Sequence, residues 1–281
     1  MSRIFWLASY PKSGNTWLRA FLTSLIGAEP LDINKLAVGT IAADRNTFDR
    51  VLTISGSDMT EAEVEYHRPE VYRRIAANSE TDIFLKAHDE YCHTAAGEPL
   101  FPAEVSGGAV YLVRNPLDVV VSFAHHMARS VDQIVDLMQD DEACLGCGNN
   151  RLHQQLPQRL RSWSTHVSSW LDCASMPVHV MKYEDMHATP VQTFGAAVNF
   201  LGFQSDPDRL SRALAMSSFA ELRRQEEKAG FAERSPRALS FFRGGRTGDW
   251  QNVLTARQVD RIVQVHGPVM RRLGYLEGKR E

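Results

Sequence analysis

Pro11-Lys12-Ser13-Gly14-Asn15-Thr16-Trp17 carries the residue types of a phosphate cradle. Gly14 lets the backbone approach an anion closely, Lys12 adds a point charge, and Ser13 and Thr16 add hydroxyl donors. The apolar residues that follow, Trp17, Leu18, Phe21, Leu22 and Leu25, recur at helical spacing. A helix there aims N–H groups and the positive end of its dipole at the loop. The loop is not a Walker A sequence, because G-x-x-x-x-G-K-[ST] is absent. Two other clusters carry charge. Arg114 closes the apolar run Ala109–Val113 and offers a planar fork for phosphate, with Ser122 in the first turns of the next helix. Lys86-Ala87-His88 closes another run, Thr81–Leu85, and a histidine is suited to take a proton near neutral pH. Taken singly, Arg114 also suits a structural ion pair, Ser122 a helix surface, and His88 a structural histidine.

The elements that must position these residues are short and apolar. Ile4–Ala8, Thr81–Lys86, Ala109–Val113 and Val178–Lys182 read as buried strands separated by helical stretches. That alternation predicts an α/β fold, a parallel sheet with helices on both faces, in a single domain spanning residues 1–281. Ligands in such sheets bind beyond the carboxyl ends of the strands. Each strand here ends at a polar cluster: Lys12, Lys86 to His88, Arg114, and Tyr183-Glu184-Asp185. Gly27 should close the first helix. Further helices are expected over 156–171, 193–201, 208–216 and 256–273, and 225–245, rich in charge and Gly, reads as a mobile loop.

The bulk numbers fit a globular protein. Of 281 residues, 43% are hydrophobic and 23% charged, and the formal net charge is −3, which gives no reason to expect a nucleic-acid partner. Met1–Arg3 leads straight into an apolar run too short for a signal peptide, and no run has membrane-spanning length, so a cytoplasmic location is expected. The four cysteines, Cys92, Cys144, Cys147 and Cys173, are then expected as free thiols. Cys144-Leu-Gly-Cys147 has metal-ligand spacing with His153 nearby, but lacks a second ligand pair, so no metal site is assigned.

The run Tyr10–Trp17 resembles the 5′-phosphosulfate loop of the sulfotransferases that use 3′-phosphoadenosine 5′-phosphosulfate (PAPS), with Asn15 where Thr is usual. Tyr111–Ser122 resembles the family's 3′-phosphate segment. Phe242-Arg-Gly-Gly-Arg-Thr-Gly-Asp-Trp250 is similar to its R-K-G-x-x-G-D-W signature. Gly244 replaces the Lys there, which removes one charge, and Arg246 lies two residues on. Lys182-Tyr-Glu-Asp185 and Ser217-Ser-Phe219 resemble two shorter segments, and together the matches run from residue 6 to residue 255.

The resemblance implies a P-loop-like nucleotide-binding fold and PAPS as co-substrate, with no metal. It implies that Lys12, Ser13, Gly14, Asn15, Thr16, Trp17, Arg114, Ser122, Tyr183, Ser217, Phe219, Arg243, Gly244 and Gly245 hold the nucleotide. Trp17, Ser217 and Phe219 would surround the adenine. Lys86-Ala87-His88 resembles the family's K-T-H segment, which makes His88 the general base. Lys12 and Lys86 would stabilise developing charge in an in-line transfer to the hydroxyl of a small acceptor. The acceptor is left to the stretches 32–57, 89–101, 125–150 and 225–241, where Phe123, Met127, Phe231 and Phe241 suit an apolar pocket. Gln251–Asp260 departs from the family's dimer segment at three positions, which leaves a homodimer open. The rival readings are an ATP-dependent kinase, which lacks its Walker A loop and metal-holding acid, and a non-catalytic nucleotide binder, against which Lys86 and His88 argue.

Overall fold

Ile4–Ser9 buries every one of its side chains. An apolar run without alternation needs cover on both faces, as a central parallel strand has. In the computed structural model, which describes residues 2–27, 30–148, 153–204 and 206–276, this run is β1. Met1, Asn150 and Glu281, which bound stretches named above, lie outside the described residues. The other strands are β2 (Thr40–Ile41), β3 (Ile83–Ala87), β4 (Ser106–Val113), β5 (Cys144–Leu145), β6 (Gln158–Arg159) and β7 (Val178–Lys182). The helices are α1 (Asn15–Ile26), α2 (Arg45–Leu52), α3 (Glu61–Ala77), α4 (Pro116–Met127), α5 (Val131–Gln139), α6 (Trp163–Leu171), α7 (Tyr183–Ala188), α8 (Pro190–Phe200), α9 (Pro207–Met216), α10 (Phe219–Ala229) and α11 (Ala256–Arg272). The expected α/β class and parallel sheet are what the chain forms: five strands in the order β2-β3-β1-β4-β7.

The residues group into two compact units. The first takes in the chain through Tyr10, Gly39–Tyr111 and Asp140–Val180. It holds the sheet, apart from the last residues of β4 and β7. β1 and β3 pair in parallel with Ile4 opposite Ile83 and Ala8 opposite Ala87, so the two strands finish level. Trp6 packs edge-on to Tyr72 and Phe101, with ring centroids 5.0 and 4.7 Å away, and Phe101 in turn meets Trp170. α3 is opened by a capping box between Thr60 and Glu63 and carries Pro69 in its interior.

Two expectations fail in this unit. Cys144 and Cys147 are joined as a disulfide, not free thiols, with Cα atoms 5.8 Å apart. Gly146, at φ 70°, takes the left-handed turn that folds the two sulfurs together. The helix expected from residue 156 starts only at Trp163. Its first seven residues instead include β6, paired antiparallel with β5, and Ser162 caps the helix by accepting the Thr165 N–H.

The second unit takes in Pro11–Val38, Leu112–Gln139 and the chain from Met181 onward. Here α1 packs on α9, and α4 on α5 and α11. Ala20, Leu31, Ile33, Leu222, Phe231 and Phe242 form one buried cluster. The stretch expected to be a mobile loop from residue 225 is helical as far as Ala229, the end of α10. Gly27 ends α1 as expected, its N–H donating to the Thr23 carbonyl. Among the described residues, no helix is long and apolar enough to cross a membrane.

Candidate active site

The loop from Pro11 to Gly14 is wound tightly before α1. Lys12 has φ 70° and Gly14 φ 104°, both left-handed, a conformation seldom taken by a residue with a side chain. A β-carbon at Gly14 would lie 2.8 Å from the Tyr183 ring. Glycine thus serves both the turn and the close approach of α7. Because Gly14 occupies the N-cap, no side chain caps α1. The Ser13 hydroxyl and the Trp17 indole N–H are buried without a hydrogen-bond partner. Buried polar groups in this state point to an absent ligand or water. Donors beside an uncapped helix N-terminus suit an anion.

Arg114, at the end of β4, ties two loops together. Its terminal nitrogens donate to the Lys12 carbonyl at 3.2 Å and the Arg246 carbonyl at 2.9 Å. Its guanidinium carbon sits 4.1 Å from the centroid of Tyr183, while its buried Nε–H has no partner. The fork expected to meet phosphate is therefore partly engaged with backbone, and Arg246 enters through its carbonyl. Ser122 lies half-buried on α4.

Trp17 stands among Tyr183, His187 and Phe194, with centroids 6.0, 4.7 and 5.4 Å away. Ser217 is fully buried, and its hydroxyl donates to the Ala213 carbonyl one turn back in α9. Phe219 opens α10 beneath Gly245, where a β-carbon would fall 2.3 Å from the Phe219 ring. Gly244 faces the Asp249 carboxylate, which also lies 3.6 Å from the Arg243 guanidinium.

Two carboxylates that sequence reasoning did not assign hold this arrangement. Asp118, buried on α4, accepts the N–H groups of Gly248 and Trp250 at 2.7 and 3.2 Å and so fixes the start of the Gly-Asp-Trp turn. Glu184 accepts the Asn115 N–H at 2.9 Å and the Tyr275 hydroxyl at 2.9 Å, which anchors the residue after Arg114. Burial raises its carboxyl above the usual range, opposed by those hydrogen bonds. Both residues sit inside the motifs quoted above, so their positions were visible and their roles were not.

In the first unit, β3 delivers Lys86 and then His88. The Lys86 carbonyl accepts the Ala42 N–H at 2.8 Å. Nδ1 of His88 lies 2.8 Å from the Ser9 carbonyl and 3.3 Å from the Ser9 hydroxyl. A carbonyl can only accept, so Nδ1 bears a proton, and in the neutral ring Nε2 then carries the lone pair. The carbonyl of His88 is held by a residue not foreseen. His166 Nε2 donates to it at 3.1 Å, while His166 Nδ1 accepts the Tyr111 hydroxyl at 2.9 Å. Burial lowers the His166 pKa to about 4, so this ring stays neutral. Asp89, next in the chain, forms a buried fork with Arg68 at 2.8 and 2.7 Å, and its carbonyl accepts the Trp170 indole N–H.

Two of the four residues expected to shape an apolar acceptor pocket are core instead. Phe123 is 1% and Phe231 7% exposed. The stretches expected to be free loops are also partly regular, since 32–57 contains β2 and α2 and 125–150 contains α5. Among the described residues, no group of three metal-ligating side chains is gathered.

The sequence compares with known proteins along nearly its whole length. The family model described as "Sulfotransferase domain" matches residues 3–274. Flavonol 3-sulfotransferase of Flaveria bidentis is 24% identical over 271 residues, which is 91% of this chain and 78% of that protein. Cytosolic sulfotransferase 17 of Arabidopsis thaliana is 24% identical over 292 residues, 98% of this chain and 76% of that protein. Among solved structures, mouse sulfotransferase SULT7A1 complexed with PAP aligns with a TM-score of 0.63 at 20% identity, covering 98% of this chain and 88% of that one. With a sulfotransferase-domain match that runs over residues 3–274, the chain belongs to the sulfotransferase family.

Proposed function

We propose that this chain transfers the sulfuryl group of PAPS to a hydroxyl of a small acceptor, with His88 as general base. The observation that carries the assignment of the base is the Nδ1–H donation from His88 to the Ser9 carbonyl at 2.8 Å. It fixes the tautomer whose Nε2 can take a proton, without which the acceptor oxygen stays a weak nucleophile. Such a transfer is catalysed mainly by positioning and charge stabilisation. Lys12 and Lys86 supply positive charge for the transferred group and the leaving phosphate. The N–H groups of Gly14, Asn15 and Thr16, the Ser13 hydroxyl and the Arg114 guanidinium supply donors for the nucleotide's phosphates. Tyr183, Trp17 and Phe219 supply aromatic faces for its base. Ser122, Arg243, Gly244 and Gly245 complete the nucleotide set.

The test begins with calorimetric titration of the protein by 3′-phosphoadenosine 5′-phosphate (PAP) and by ATP, each with and without Mg²⁺. Tight, metal-independent binding of the bisphosphate and weak binding of ATP are expected. A screen of phenols, alcohols and sterols with PAPS then identifies the acceptor. Preference for Mg·ATP, or failure to bind the bisphosphate, overturns the reading.

A further inference from the structure

Glu226 is a carboxylate that the reaction above does not use. It lies on α10 and is 6% exposed. Its two oxygens accept the N–H groups of consecutive residues, Phe241 at 2.7 Å and Phe242 at 2.8 Å. Charge-assisted bonds to two adjacent amides fix a backbone segment firmly. The same segment is held from α4, where His125 Nε2 donates to the Ser240 carbonyl at 3.1 Å. Phe242 drops into the cluster with Ala20, Leu31 and Leu222. Phe241 packs against the edge of the same cluster, edge-on to Phe231 with ring centroids 4.8 Å apart, and lays its ring against Lys12, whose Nζ is 3.8 Å from the ring centroid.

We infer that Glu226 is a positioning residue for sulfuryl transfer: it holds Phe241, and the Phe241 ring holds the Lys12 ammonium in place. The inference rests on the reading of Lys12 given under the proposed function. A lysine on a flexible stem has many rotamers, and a ring face attracts its ammonium and limits them. In Glu226→Gln one oxygen still accepts, but the side-chain NH2 opposes the other backbone N–H, and the Ser240–Phe242 segment shifts. Lys12 then spends less time where the transferring group needs its charge. The effect falls on turnover, because a positioned charge acts on the transition state.

Four single variants, Glu226→Gln, Phe241→Leu, Phe241→Tyr and Lys12→Ala, and the combination of the first two test it. The first readout is brief acylation by an N-hydroxysuccinimide ester, with Lys12 labelling measured by peptide mass spectrometry against Lys35, whose side chain is 83% exposed. Glu226→Gln and Phe241→Leu should each raise the Lys12 to Lys35 ratio by about fivefold, the size of an exposed cation–π contact, and Phe241→Tyr should leave it unchanged. The second readout is PAP release from PAPS, with the acceptor from the screen or with water where none is found. Glu226→Gln and Phe241→Leu should each lower kcat about tenfold with KM for PAPS nearly unmoved, and the combined variant should be no worse than the poorer single. An unchanged labelling ratio, an unmoved kcat, or losses that multiply in the combined variant overturn the inference. Where Glu226→Gln does not fold, Phe241→Leu decides alone by the same two readouts. Lys12→Ala separates the two readings. Full rate and affinity there remove Lys12 from the reaction, whereas a crippled Lys12→Ala beside unaffected Glu226→Gln and Phe241→Leu overturns the positioning role only.

Discussion

His88 and Ser9 meet because their strands finish level: Ala8 lies opposite Ala87, and in the next pair the Nδ1 of His88 lies 2.8 Å from the carbonyl of Ser9. Parallel register alone thus orients a candidate base. The carbonyl belongs to Ser9, the last residue of β1. A catalytic histidine commonly has one ring nitrogen tied down so that the other can work. Here the tie is backbone, which substitution of Ser9 leaves intact.

Replacement of His88 by Ala should therefore lower turnover by roughly 10²-fold or more while PAP affinity, measured by calorimetry, changes little. The split matters because a general base acts on the acceptor's proton and not on the nucleotide. Full activity in this variant removes it as the base. Parallel loss of affinity and rate assigns it to binding.

The neutral His166 makes stability depend on pH. Its folded pKa is lowered by burial to about 4, below its unfolded value of about 6.5. The unfolded chain therefore takes up this proton first, and folded stability declines as pH falls from about 6.5 toward 4, by about 3 kcal/mol in all. Glutamine at this position keeps a donor and an acceptor but cannot titrate. His166→Gln should show a shallower loss of urea midpoint between pH 7 and pH 5 than the parent, and an equal loss would place the titration elsewhere.

Much of the fold that carries the candidate site was legible in the sequence, and the reasons differ by element. β1 and β4 declared themselves as apolar runs and β7 as one interrupted by His179, and each leads to a side chain named in advance. Gly14 was legible because its turn admits few other residues. α3 escaped notice because Pro69 interrupts it and its buried set includes Arg68, which breaks the apolar stripe. β2 has only two residues and no pattern to read. His166 was passed over since it lies beside Val167 on a helix whose Trp163 and Trp170 dominate the apolar signal. Its partners, Tyr111 and the His88 carbonyl, are 55 and 78 residues away, so only the folded chain joins them. Buried carboxylates such as Asp118 were hidden for the same reason.

Arg114 bridges the Lys12 and Arg246 carbonyls, a geometry that needs two separated terminal nitrogens. Lysine has one, so Arg114→Lys can hold one loop and not both. The loss of one buried charge-assisted bond should weaken PAP binding by about tenfold, or about 1.4 kcal/mol, with the thermal midpoint nearly unchanged. Calorimetry on the folded variant checks this, and undiminished affinity would show that the bridge is dispensable.

Asp89 and Arg68 form a fully buried fork, with side chains 0% and 2% exposed. Nδ2 of an Asn at position 89 would face the guanidinium with a donor where an acceptor is needed, and the charge of Arg68 would stay buried and uncompensated. Breaking such a pair costs about 3–5 kcal/mol. Asp89→Asn should lower the urea unfolding midpoint accordingly, with the slope unchanged. Replacement of both residues, Arg68→Met with Asp89→Leu, removes the stranded charge and should recover more than half of that loss. The recovery is incomplete because Asp89 also accepts the Arg159 N–H at 3.1 Å, and that amide keeps no partner in the double variant. Since Asp89 directly follows His88, the same pair of variants separates stability from chemistry. If the apolar pair folds well yet turns over slowly, the fork aligns the base; if it turns over normally, the fork serves only the core.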